Sequence, residues 1–458
     1  MAEGIIVVSR IESSIGERLK HAKNAGNSNA ISNMINEAGV RLARCLDTMD
    51  AAPLDINTQT GVLRFSVIGG PGHGFTRTAQ MQFLRHTRND GDNRDFMMTK
   101  IMDVEFDPDA RAPLFHANLA RVQPDPEMRE FLQRWLGLCL TALTRDQKMV
   151  FMHGMGQNMK SVLVELIARM MGGYAAKAKI ESLTGRNKRS GGDATPDLVP
   201  LMGARMVRAS EPEEGERLKE GMIKELTGGE KFMVRALHTD FVEVEPKFKL
   251  IITGNHKPEI RGTDNGIWRR VHLVPFDVNI PDDEVDSELQ EKLWEERSGI
   301  LNWLLAGLSD YLEAGLQTPA KVLDATAEFR AESDPTGAFL ESCCVVSGDA
   351  RDIITSKDLG EAMQYWQVQQ GGQSWGMATI SKRLKDKAKR WRSQSTGQGF
   401  TSRKASTMKY EGIRYTDVFG GEWNNLPRDA LGRIIHSRAT STSGHGADQY
   451  PSNGETEF

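Results

Sequence analysis

The middle of this 458-residue chain is predicted to be an α/β fold with a parallel sheet, on three observations. Between residues 146 and 280, apolar strand-like runs alternate with helix-like stretches, the order that builds a parallel layer. One run, Met149-Val150-Phe151-Met152-His153, leads into a glycine-bearing turn and then a helical stripe of Val162, Leu163, Leu166, Ile167 and Met170. A second buried-type run, Phe248-Lys249-Leu250-Ile251-Ile252-Thr253-Gly254, ends in the polar Asn255.

The flanking segments read differently. Residues 1–50 carry a loose helical stripe of Ile31, Ile35, Val40, Leu42 and Leu46. Residues 51–145 are expected to be mostly helical, although Val62 to Ile68 alternates like a strand after the turn at Gln59-Thr60-Gly61. There Asp125-Pro126-Glu127 should start an amphipathic helix through Phe131, Leu132, Trp135, Leu136 and Leu138. Residues 281–345 show a broad apolar stripe that includes Leu301, Leu305, Leu308 and Leu312, and are expected to be a helical segment. Asp334-Pro335 is a breaker, residues 346–425 form a small basic unit, and the Ser/Gly/Thr-rich residues 426–458 read as a disordered tail.

Composition narrows the function classes. With 58 basic and 62 acidic residues the net charge is −4, so any nucleic-acid partner must be met by a local patch. Apolar residues make up 39%, charged residues 26%, and mean hydropathy is −0.45, which excludes whole-chain disorder. Cys45, Cys139, Cys343 and Cys344 include no CxxC, so neither a zinc site nor a disulfide framework is expected. The apolar run at residues 4–8 is too short for a signal or a membrane span. A cytoplasmic protein with no membrane partner is the expectation.

The sharpest chemical signal follows the first strand: Gly154, Met155, Gly156, Gln157, Asn158, Met159, Lys160 and Ser161. Strand, glycine-bearing turn and helix are what a phosphate-binding loop needs. Backbone amides and the helix N-terminus surround the phosphates, the lysine meets the β/γ oxygens, and the serine hydroxyl reaches magnesium. The strict G-x-x-x-x-G-K-[ST] pattern fails at Met159, where a Cβ would stand against the backbone's approach to phosphate. A strand–helix turn with a surface lysine is the competing reading.

Downstream, Gly203-Ala204-Arg205-Met206-Val207-Arg208-Ala209-Ser210-Glu211 reads as a strand ending in a carboxylate, placed to hold magnesium or activate water. Residues 223–230 and 234–244, two alternating runs around a polar tip, suggest a β-hairpin, and Trp268-Arg269-Arg270 precedes a further strand. Paired arginines are usually solvated or salt-bridged; a finger on a neighbour's γ-phosphate is the rarer use.

Together these residues resemble the superfamily III helicases of phage and plasmid primase-helicases and the related poxvirus nucleoside triphosphatase. The matching stretches are GARMVRASEPEEGERL, IKELTGGE, KLIITGNHKPEIRGTDNGIWRR and VPF, with TGVLRF, FDPDARAP and FLQRWLGLCLTALTRDQ upstream. The resemblance implies an AAA+-like P-loop ring motor, a hexamer, that hydrolyses ATP with Mg2+ between subunits and moves on DNA. It implies that residues 154–161 hold ATP and that Ser161 and Glu211 serve the metal. Lys160, Glu211 and Asn255 would act in catalysis, and Arg269 or Arg270 (Arg270 preferred) would reach a neighbour's nucleotide. Arg235 and His238 of the pore hairpin would grip DNA. About 50 residues precede the match, too few for the family's primase domain, so primer synthesis is not expected of this chain unless a primase is a separate polypeptide. The setting implied is replication of a phage, prophage or plasmid in a bacterial host cell, on single-stranded and origin DNA.

Between Lys382 and Arg414 eleven basic residues face only Asp386 and Glu411. Two helical stretches, a basic loop and a strand suggest a winged helix, in which Lys382, Arg383, Lys385, Lys389, Arg390 and Arg392 would bind DNA phosphates. The bland alternative is a solvated amphipathic helix. Two rival functions remain: a non-enzymatic origin-recognition ring disabled by Met159, and a different P-loop enzyme such as a packaging motor.

Overall fold

The computed structural model describes residues 27–42, 48–69, 77–86, 97–185, 195–235, 240–260, 262, 265–371 and 374–429. Residues 430–458, the bulk of the expected tail, and His238 lie outside these. Contacts divide the chain into two compact units, Met1–Ser333 and Asp334–Phe458, at the Asp334-Pro335 breaker.

In the first unit, helix α1 (Ser28–Leu42) precedes a three-stranded antiparallel sheet of β1 (Asp55–Asn57), β2 (Gly61–Ile68) and β3 (Thr78–Arg85). This sheet joins the helices expected of residues 51–145. Those are α2 (Pro113–Val122) and α3 (Pro126–Cys139), the latter capped as expected by Asp125, which accepts from the Glu127 amide at 2.9 Å.

The central layer then follows: β4 (Met149–His153), α4 (Lys160–Met171), β5 (Ala175–Lys177), α5 (Ile180–Leu183), β6 (Met206–Ser210), α6 (Glu220–Gly228), β7 (Phe232–Val234), β8 (Val242–Val244), β9 (Lys249–Gly254), α7 (Asn265–Trp268) and β10 (Val271–Pro275). Five strands pair in parallel in the order β10-β4-β9-β6-β5. The strands buried on both faces are continuous apolar runs, as a doubly covered parallel sheet requires. The acid-bearing strand β6 does not lie beside β4, since β9 runs between them.

Helices α8 (Leu289–Glu295), α9 (Arg297–Ala314) and α10 (Ala320–Glu332) complete the unit, as the apolar stripe predicted. Helices α3 and α9 meet backbone to backbone. A Cβ on Gly137 would stand 2.6 Å from the Leu304 carbonyl oxygen, and one on Gly307 only 2.2 Å from that of Gln133. Neither position has room for any other residue.

The second unit contains α11 (Pro335–Cys343), β11 (Cys344–Val346), β12 (Ile353–Thr355), α12 (Ser356–Gln369), α13 (Met377–Arg390), β13 (Thr401–Lys404), β14 (Met408–Glu411), β15 (Ile413–Tyr415) and α14 (Asp417–Asn424). A helix pair against the antiparallel sheet β12-β14-β13 is a winged-helix arrangement. Gly412, at φ +87°, breaks the final strand so that β15 leaves this sheet and pairs with β11.

Candidate functional site

The C-terminal edge of the parallel sheet gathers most of the candidate residues, because that is where successive strand ends of a parallel layer point. The loop after β4 is braced from behind by the chain leaving β10. A Cβ on Gly154 would lie 2.2 Å from the Phe276 carbonyl oxygen, so only glycine fits there. Asn158 is buried and donates its Nδ2 to that same carbonyl at 3.0 Å. The Gln157 carbonyl accepts from the Ile280 amide at 2.9 Å, and the Gln157 side chain donates to Asp282. Gly156 turns at φ +107°, while Met155 is 81% exposed at the mouth.

Met159 takes a left-handed conformation (φ 64°, ψ −1°) at the N-cap of α4. Its side chain is buried in the hydrophobic core with Leu163, Leu166 and Ile167. The bulk of the side chain thus packs in the core and not in the turn. The side chain leaves the loop's mouth for the core, and glycine is favoured there by the positive φ.

Lys160 is only 4% exposed, and its Nζ donates to the Gly154 carbonyl (2.6 Å), Asn158 Oδ1 (3.0 Å) and Asn255 Oδ1 (3.3 Å). Burial lowers its pKa and the nearby Glu211 charge raises it. All three hydrogen-bond acceptors are neutral, so an anion entering the loop would be a stronger partner. Ser161 is exposed in the first turn of the 12-residue helix α4. Glu211 is exposed just past β6 at φ +28°, its amide donating to the Thr253 carbonyl at 2.8 Å. A small cleft beside the loop is lined by Ser161, Glu165, Lys177, Arg208, Ser210 and Thr253. Sequence reasoning missed the Arg208–Glu165 ion pair in it (2.8 Å), because the partners lie on separate elements.

These residues suit a magnesium–nucleoside triphosphate. The 12-residue helix α4 presents its N-terminus, Lys160 an ammonium, Ser161 a hydroxyl and Glu211 a carboxylate. Among the described residues no group of three or more His, Cys, Asp or Glu could hold a metal unaided.

The two arginines separate. Arg269 is exposed, whereas Arg270 is 7% exposed, its Nε donating to Thr227 Oγ1 (3.1 Å) and its Nη1 to the Gly266 carbonyl (2.7 Å). Nothing in this placement favours Arg270 over Arg269: the Arg270 guanidinium is engaged within the chain by Thr227 and Gly266, whereas Arg269 is the exposed one. The hairpin's second strand ends at Val244, as the alternating run to that residue suggested. Thr227 belongs to α6, and the paired strands are β7 and β8. Arg235 follows β7, its guanidinium 5.1 Å from the Phe241 ring centroid.

In the second unit, Lys382, Lys385, Lys389, Arg390 and Arg392 are exposed, opposite buried Ile380, Leu384 and Ala388. Arg383 is half-buried, with its guanidinium stacked 4.0 Å from the Trp375 ring centroid. Lys387 turns inward to pair with Asp334.

No protein-family model matches the chain. It is 29% identical over 265 residues to "Putative helicase L207/L206" of Acanthamoeba polyphaga mimivirus, covering 54% of this chain and 28% of that protein. With "Putative helicase 022R" of Frog virus 3 (isolate Goorha) it shares 31% over 274 residues, 55% of this chain and 27% of that protein. With "Putative helicase 121R" of Invertebrate iridescent virus 3 it shares 24% over 365 residues, covering 73% and 37%. The chain thus spans about a quarter to two fifths of these relatives' length. Among solved structures, the apo C-terminal region of NrS-1 aligns over 76% of this chain and 96% of that one, at 11% identity and a TM-score of 0.44. The relatives are viral, and none of these three carries the phage or plasmid setting expected from the sequence. No helix among the described residues is long and apolar enough to cross a membrane. Over more than half its length, this chain resembles the superfamily III helicases, and the curated proteins it matches there are named as helicases of large DNA viruses.

Proposed function

We propose that the chain is an ATP-dependent DNA helicase or translocase for replication of a viral or other mobile genome. It would act as a ring, a hexamer, with ATP hydrolysed between subunits. The observation that carries this reading is Lys160: a buried ammonium with three neutral acceptors, set between a helix N-terminus, the Ser161 hydroxyl and the Glu211 carboxylate.

In this reading, residues 154–161 hold the triphosphate and Lys160 leaves its carbonyl and amide partners for phosphate oxygens. Ser161 and Glu211 hold magnesium, which when bound neutralises charge on the phosphates. Glu211 also orients the attacking water, with Asn255 beside it, at the strand ends of β6 and β9. Arg269 reaches the nucleotide of the adjoining copy and stabilises charge as the bond breaks. The β7–β8 hairpin with Arg235 meets single-stranded DNA, and His238, expected from the sequence to join it, lies outside the described residues. The exposed Lys382, Lys385, Lys389, Arg390 and Arg392 bind phosphates of duplex or origin DNA in a salt-dependent manner. A primase would be supplied by a separate polypeptide or by sequence outside this chain.

The test is ATP hydrolysis by the purified protein with and without single-stranded DNA, beside Lys160→Ala and Met159→Gly. Turnover that falls by more than about 100-fold in Lys160→Ala is expected, since the ammonium is the loop's only charged donor. Turnover absent from the parent and restored in Met159→Gly would favour the disabled-ring alternative. Silence in all three with DNA binding retained would leave a binding module.

A further inference from the structure

The turn just ahead of β4 touches two distant parts of the first unit. Gln147 has φ +52°, a left-handed conformation that a glutamine adopts only when its surroundings hold it there. Its Nε2 donates to the carbonyl of Gly228, the last residue of α6, at 2.8 Å. Its Oε1 accepts from Nη2 of Arg269 at 3.3 Å. The neighbouring Lys148 donates its Nζ to the Arg269 carbonyl at 2.6 Å, and the Met149 amide donates to the Arg270 carbonyl at 2.7 Å. One amide side chain therefore spans the helix that runs into the hairpin and the arginine that projects from the subunit. The strand it precedes ends in the phosphate loop.

We propose that Gln147 is a positioning residue that links the hairpin-bearing helix α6 to Arg269. Displacement of the hairpin by nucleic acid is then felt at the arginine offered to a neighbouring copy. The carboxamide suits this because it donates with one atom and accepts with the other, which neither a carboxylate nor an aliphatic side chain can do. The inference rests on the helicase reading above, in which Arg269 acts on a second copy's nucleotide.

The experiment uses the full chain with Gln147→Gly and Gln147→Glu. Glycine removes both hydrogen bonds while relaxing the positive φ, so the variant should melt close to the parent. Glutamate keeps an acceptor for Arg269 and loses the donor to Gly228. Steady-state ATP hydrolysis is measured with and without single-stranded DNA. In Gln147→Gly the stimulation by DNA should fall about five-fold or more, the scale of a typical coupling between sites, with KM for ATP within about two-fold. In Gln147→Glu the stimulation should also fall, because the link to α6 is cut. Stimulation equal to the parent's in folded Gln147→Gly overturns the proposal. If the glycine variant melts well below the parent, Gln147→Glu decides in the same way. A parent with no DNA-stimulated turnover overturns the helicase reading itself, and this inference with it.

Discussion

The two edges of the parallel sheet both bury cations, and they use them differently. At the C-terminal edge Lys160 is 4% exposed; at the N-terminal edge Arg205 is 2% and Lys249 3% exposed. Arg205 donates Nη1 to the carbonyls of Asp55 (2.7 Å) and Leu140 (2.8 Å) and lies 4.3 Å over the Tyr174 ring. Lys249 donates to the carbonyl of Thr141. The carbonyl partners lie on β1 (Asp55) and just past α3 (Leu140 and Thr141), so the cations fasten that segment to the sheet. Lys160 instead holds a carbonyl and two side-chain amides beside an open cleft, partners that a phosphate can displace. Exposure alone would not separate the three; what surrounds each does.

Breaking the sealed edge should cost the most stability. Arg205→Met is expected to lose about 3–5 kcal/mol in denaturant unfolding, since two buried carbonyls lose close donors at about 1–3 kcal/mol each. Lys160→Ala should melt near the parent and lose turnover. Equal stability in Arg205→Met would erase the distinction between the edges.

Next in size is a pH effect from β10. His272 is buried edge-on to Phe131, and burial, then the Lys148 charge, push its pKa down to about 3. The unfolded chain binds this proton near pH 6.5 and the folded one does not. Stability should therefore be complete above pH 6.5 and fall towards pH 3, by up to about 1.4 kcal/mol per pH unit. His272→Phe should flatten that limb in thermal melts across the range.

Met159→Gly sharpens the comparison at the open edge. Relief of the left-handed backbone gains about 1 kcal/mol, and loss of a buried side chain costs about 2–5 kcal/mol, so melting should drop modestly. KM for ATP should move by less than about three-fold, as the side chain points away from the cleft; a large fall in KM would contradict that placement.

The smallest effect is expected from Lys249→Met at pH 7: the Thr141 carbonyl loses its donor, at about 1–3 kcal/mol, and removing the desolvation cost of the buried amine offsets most of that. Burial lowers the Lys249 pKa to about 7, far below its ordinary 10.5. Its contribution to stability should thus rise from pH 7 to 10.5 and be lost as pH falls through that window. The methionine variant should lack this rise when unfolding is followed by denaturant titration.

The five-stranded layer and the glycine-bearing turn between β4 and α4 were legible because apolar runs and glycine turns are local signals. Strand β1 has three residues and β3 is exposed along most of both faces, so neither carries a clean period of two. Adjacent Arg269 and Arg270 could not be told apart, since their fates depend on which one a short helical turn aims at Thr227. Gln147 was invisible for a related reason. Its partners lie 81 and 122 residues away along the chain.

The glycine crossing of α3 and α9 sets a limit on how far this chain can be shortened. A protein trimmed to end after β10 would keep every residue of the phosphate loop and lose the helix whose backbone seats against Gly137. Phe131, Leu132, Trp135 and Leu138, all fully or nearly fully buried, would then line a bare trough. Such a fragment should precipitate or self-associate, so the shortest soluble form extends past Leu312.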